Sequence, residues 1–240
     1  MKNLCNHTAR SNTAILFLFC FMLSHAHLHA DANSGACAGK LDVGPAFMHI
    51  DILESGRTVK RMDMPGVRGE ISYRFWKGFY IKPTFVYGHG SAAKGGMVNT
   101  TVSLGCCIPL SEKVTISPSI GFGYSHLWTR INLPQLQLKN LKENFKSLSP
   151  LLSLDLHYTF WEGCRISGTV QYGWAHTHTS IAHLFKGKSN SKGFNYAFLI
   201  EKDLSDQWSV NFGAAYSLSL SKEKHGIRGT GLKCGLAYWF

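Results

Sequence analysis

No stretch of this chain is long and apolar enough to cross a bilayer as a helix. The one continuous apolar run, Ala14 to Leu23, has ten residues, where a spanning helix needs about 20. Charge is scarce too, at 16% of residues, against roughly a quarter in soluble domains. With 24 glycines and 15 Phe, 9 Tyr and 6 Trp, the composition also excludes a disordered chain, which would be polar and poor in aromatics. Cysteine offers no framework. Once Cys5 and Cys20 are assigned to a leader, Cys37, Cys106, Cys107, Cys164 and Cys234 remain. An odd set cannot all pair within one chain, and no disulfide is specified.

What is present begins with a leader. Lys2 and Arg10 precede the apolar run, and Ala30-Asp31-Ala32 follows it as a small-residue cleavage pattern. The reading is a signal peptide over 1–32, cut after Ala32, and a single domain over 33–240. Cys37 lies too far downstream of the apolar run for a lipoprotein anchor.

Beyond the leader the pattern has period two. In 207–220, Trp208, Val210, Phe212, Tyr216 and Leu218 fall on one face, while Ser209, Asn211, Gly213, Ser217 and Ser219 fall on the other. Ten such segments can be drawn: 41–51, 64–76, 79–89, 97–109, 114–128, 149–161, 164–178, 191–203, 207–219 and 228–240. The apolar set of the first changes face near Met48, which predicts a bulge there. Short links, such as Glu162-Gly163, alternate with longer ones at 52–63, 90–96, 129–148, 179–190 and 220–227. Aromatic clusters close the strands on the short-turn side, at Phe75-Trp76, Phe160-Trp161 and Tyr238-Trp239-Phe240. Short turns on one side, longer loops on the other and two aromatic girdles are features of transmembrane barrels.

The chain stops on an alternating strand, Lys233 to Phe240, with Gly235 before it and aromatics at Tyr238 and Phe240. Here it resembles the bacterial outer-membrane β-barrel superfamily, in particular small opacity-like barrels of eight to ten strands. The resemblance implies an all-β fold: a transmembrane antiparallel up-and-down barrel of about ten strands, with eight as the fallback. It also implies an outer-membrane location in a Gram-negative cell, and recognition of Gly235, Tyr238 and Phe240 by the barrel-assembly machinery. Members of this group share a scaffold and differ in task.

Strand parity places Arg68, Glu70, Arg74, Lys82, Asp155, Arg165 and Glu201 inside. They read as a charge-paired filling, because barrels this small are packed and wide channels need about sixteen strands. The long links are basic. Arg130, Lys139, Lys142, Lys146, Lys186 and Lys188 are candidate contacts for anionic surface glycans or lipopolysaccharide. Leu138, Leu141, Phe145 and Leu148 have helical spacing, which predicts a short amphipathic helix over the mouth. His176 and His178 share a face, but parity turns it toward lipid, so no metal site is drawn. No catalytic set is drawn either. Omptin-type proteases carry Asp and His at the outer rim, and the one Asp-x-His here, Asp155 to His157, falls in the periplasmic half. Nor does His126 beside Ser125 define a lipid-modifying site. The expectation is a surface-exposed structural or binding barrel without cofactor or nucleic-acid partner, with a small channel or a rim enzyme as alternatives.

Overall fold

The computed structural model describes residues 39–76, 78–90, 95–133, 138–182 and 185–240. The leader expected over 1–32 and Cys37 lie outside them. The strands are β1 (Gly39–Glu54), β2 (Arg57–Trp76), β3 (Phe79–Gly90), β4 (Gly95–Cys106), β5 (Ile108–Pro109), β6 (Val114–Leu133), β7 (Leu138–Trp161), β8 (Cys164–Ile181), β9 (Phe185–Asp203), β10 (Trp208–Leu220) and β11 (Gly226–Trp239). Each pairs antiparallel with its neighbours. The two-residue β5 continues β4 along the same edge of β6, past Cys107. The β4–β6 and β1–β11 pairings close the sheet, so the wall is a barrel of ten strands. Closure satisfies every strand edge, which hydrocarbon demands.

The strands are much taller than a membrane requires. β6 has 20 residues and β7 has 24, where a tilted spanning strand needs about 9–11. The expected loops 52–63, 129–148 and 179–190 are therefore mostly wall, while 220–227 keeps a turn at Ser221–His225. β1 turns into β2 through only Ser55 and Gly56, both at positive φ (48° and 80°), the backbone of a tight primed hairpin turn. The helix expected near 132–148 is overturned as well, since β7 runs through it. Its leucine spacing divides between two strand faces. Phe145 points inward and packs on the buried cluster, while Leu148 points outward and is 54% exposed.

The two heights of the wall have opposite polarity. Low on the barrel the outward residues are apolar, as with Val43, Phe47, Ile120, Phe122, Leu152 and Leu236. The inward ones are small or charged. Higher up the order inverts. On β1, Met48, Ile50 and Ile52 are buried inside, while His49 and Asp51 lie on the other face beside Asp63, Arg61 and Arg228. This inversion is what the sequence shows as a change of face near Met48. No bulge lies there, because pairing with β2 stays in register through Met48↔Met64 and shifts only between Ile52 and Leu53. The lower half is thus dressed for lipid, and the upper half for water.

With the tall hairpins outside the cell, protease added to intact cells is expected to cut the Ser221–His225 turn and spare the short turns at Ser111–Lys113 and Ser205–Gln207. Cleavage confined to the short turns would invert the orientation.

Candidate functional site

The lumen is filled in two layers. The lower layer is ionic. Arg68 donates through Nη2 to Asp42 at 2.7 and 2.9 Å and to Asn211 Oδ1 at 2.7 Å. Lys82 meets Asp155 at 2.5 Å. Arg165 meets Glu201 at 2.7 Å and also pairs with Asp203, and Lys40 shares Glu201. Glu70 lies within the field of Lys82, Lys233, Lys40 and Arg68. Trp239 lies beneath, with Lys40 Nζ 4.7 Å and the Arg165 guanidinium 4.8 Å from its ring. Such cation–π contacts add to the pairs when desolvated. Of the residues assigned inward from sequence, only Arg74 stands apart. It is exposed at the lower mouth, and no ion pair joins it among the described residues.

The sequence reading omits Asp42, the partner of Arg68. It sits on the strand whose parity is confused by the polarity inversion. Gly235, chosen as part of the terminal motif, also acts in this layer. A Cβ there would come 2.5 Å from Asp42 Oδ1 and 2.8 Å from Arg68 Nη2, so a larger residue would displace the ends of the ion pair.

The upper layer is apolar, contrary to the uniformly polar interior expected. Met48, Ile50, Ile52, Met62, Met64 and Leu127 form its buried cluster, with Met97 packed against it. All four methionines of the described residues are here. Above the cluster, Lys60 reaches from β2 to β6, donating to Thr129 Oγ1 and, at 2.5 Å, to the Arg130 carbonyl.

The basic candidates lie on the outer wall, where cross-strand register sets them in rows. His126, Lys146, His178 and Lys188 are successive direct partners across β6, β7, β8 and β9. One step higher Trp128, Asn144, Ser180 and Lys186 align, and above them Arg130 faces Lys142. Lys139 belongs to β7, but its side chain is not among those described. The opposite wall differs. There Asp51 is held by Arg228 at 2.5 Å and Arg61 at 3.5 Å, and His49 meets Asp63 at 2.6 Å. Among the described residues no group of three or more His, Cys, Asp and Glu is placed to hold a metal.

A closed ten-stranded wall, an apolar belt and aromatic rims define the class: the chain folds as an outer-membrane β-barrel. Its sequence matches no family model and no curated protein. The fold is similar to that of the outer-membrane protease OmpT from Escherichia coli, with 13% identity, coverage of 84% of this chain and 96% of that one, and a TM-score of 0.56. More distant are the translocator domain of the autotransporter NalP from Neisseria meningitidis (10% identity, 96% and 98% covered, TM-score 0.49) and Ail, the attachment invasion locus protein of Yersinia pestis (10%, 85% and 99%, 0.44). These likenesses concern the fold alone.

Proposed function

We propose that this protein is a closed, surface-exposed binding barrel whose outer wall holds phosphate or sulfate groups. The observation that supports it is the basic face of β6–β9, where Arg130 opposes Lys142 and Lys146 stands between His126 and His178. Like charges directly opposite on a sheet destabilise it. A wall built this way gains by receiving anions. The filled lumen favours binding over conduction, because the ionic layer and the methionine cluster occupy the path a solute would take.

Purified barrel in detergent is expected to retain dextran sulfate. The variant Lys142→Gln, Lys146→Gln, Lys188→Gln should bind about tenfold less tightly, the loss expected for a few charge-assisted contacts. Salt should mimic the variant, since near 1 M the screening length falls to about 3 Å. Retention that ignores both salt and these lysines would remove the reading.

A further inference from the structure

We propose that the thioethers of Met48, Met62, Met64 and Met97 form a site in the upper lumen for one soft monovalent cation, Cu(I) or Ag(I).

The four side chains converge. Met48 on β1 and Met64 on β2 are direct cross-strand partners, and Met62 stands one inward step above Met64. Met97 on β4 faces Gly88 on β3 and Leu127 on β6. Glycines open the space between them. The terminal methyl of Met48 lies where a side chain at Gly88 would stand, beside Met97. A Cβ at Gly90 would come 3.2 Å from Met64 Cγ, and one at Gly95 would come 3.5 Å from Met62 Sδ. Gly95 precedes Met97 by two residues on the same face of β4. Three methionines from β1 and β2 thus reach over bare backbone of β3 and β4 toward the fourth.

Apolarity alone does not select methionine. The outward belt takes Val, Leu, Ile and Phe, and among the described residues none of its exposed large apolar side chains is methionine. Fixing a methionine costs more rotamer freedom than fixing a leucine, and leucine specifies a core better. What methionine adds is a polarizable sulfur. Thioethers are soft donors suited to Cu(I), unlike the oxygen sites of Mg²⁺ and Ca²⁺. They are also neutral, so the charge of a bound ion stays uncompensated. Burying charge is costly, which favours a monovalent ion over Zn²⁺ or Cu²⁺. Met62 and Met64 are fully buried, so water competes little for the ion.

The approach is from above. Met97 is half-buried and the most open of the four. Across the lumen, the inner faces of β7–β10 carry hydroxyls, Ser147 with Thr177 at 2.6 Å and Ser191 with Ser219 at 2.8 Å. These half-buried groups line a hydrophilic path. At the top of the cluster Lys60 lies in the field of Glu143, so the entrance holds one charge of each sign.

Ag(I) is the probe, because it stays monovalent without a reductant. The barrel, labelled at its methionine methyl carbons, is titrated in detergent and followed by NMR. Cys37, Cys106, Cys107, Cys164 and Cys234 are changed to Ala so that thiols do not compete. One equivalent of Ag(I) is expected to shift the methyl signals of Met48, Met62, Met64 and Met97 together, and Zn(II) to shift none. Single leucine substitutions assign the signals. The barrel with its cysteines intact, titrated past its thiols, should give the same shifts. Met64→Leu with Met97→Leu keeps the apolar volume. It should weaken Ag(I) binding by at least about tenfold, since even the partners of metal ligands cost that much when lost. Heat-modifiable gel mobility verifies that each variant is folded. Methyl signals that ignore excess Ag(I) would overturn the site and leave the methionines as packing alone. Unchanged affinity in the double variant would overturn their role as ligands. An equal response to Zn(II) would overturn the preference for a soft monovalent ion.

Discussion

Deleting Phe240 together with Tyr238→Ser is expected to leave almost no folded barrel in the outer membrane. The physical reason is the seam. Gly39 N–H donates to the Phe240 carbonyl at 2.8 Å, and Phe240 N–H donates to the Gly39 carbonyl at 3.0 Å. These bonds finish the β1–β11 pairing that turns an open sheet into a barrel. Tyr238 faces outward, its ring 5.0 Å from that of Trp208 and 6.4 Å from that of Phe240. It thereby anchors the lower rim at the lipid interface, where aromatic rings are favoured. A strand that cannot finish the seam leaves backbone groups bare at the membrane, each costing several kcal/mol. Cell fractionation with heat-modifiable gel mobility reads the outcome. Normal outer-membrane levels of folded variant would show that the terminal residues are dispensable for assembly.

Arg68→Ala is expected to lower stability by about 3–5 kcal/mol, the range for stranding one partner of a buried ion pair. Arg68 and Asp42 side chains are 6% and 3% exposed, and Asn211 loses its donor as well. The discriminating control is Arg68→Met with Asp42→Leu. Replacing both charges by apolar groups of similar size restores most of the loss, because desolvation of the pair is removed with the pair. Denaturant unfolding in detergent compares the three. A single variant as stable as wild type would show that water reaches Asp42 and that the lumen is less filled than described. Planar bilayer recordings give a second check of the same filling: wild type should pass little steady current, and stable open channels at neutral pH would contradict it.

The sequence displayed the parts of this barrel that lipid governs. Alternation is visible in 114–128 and 207–219 because hydrocarbon faces one side of those strands and the lumen the other. It fades in 140–148 and 185–190 because both faces there meet polar surroundings or an apolar plug. The backbone pairing of β6 with β7 and of β8 with β9 continues regardless. Reading those stretches as loops therefore mistook a change of solvent for a change of backbone. The helical spacing of Leu141, Phe145 and Leu148 arose from the same change, with Phe145 serving the inner cluster and Leu148 the belt.

The candidate site was legible as composition and not as geometry. The basic residues Arg130, Lys142, Lys146, Lys186 and Lys188 stood out at once, as did the inward Arg68, Lys82 and Glu201. Their arrangement depends on register between strands. Lys146 meets His126 and His178 only because β6 and β8 align on either side of β7. Arg68 finds Asp42 at a separation of 26 residues and Asn211 at 143. Alternation within one strand carries no information about such offsets.

The exchange of inside and outside along β1 has one more consequence. A one-residue slip of β1 against β2 would swap the faces of its side chains. Below the crossover, a slip would push Asp42 toward hydrocarbon. Above it, the same slip would turn Met48 and Ile50 out to water and bring Asp51 in among methionines. The two errors are of opposite kind, so no single change of solvent could relieve both. The strand is therefore keyed at two depths, and a barrel that straddles two solvents admits only one alignment of its first hairpin.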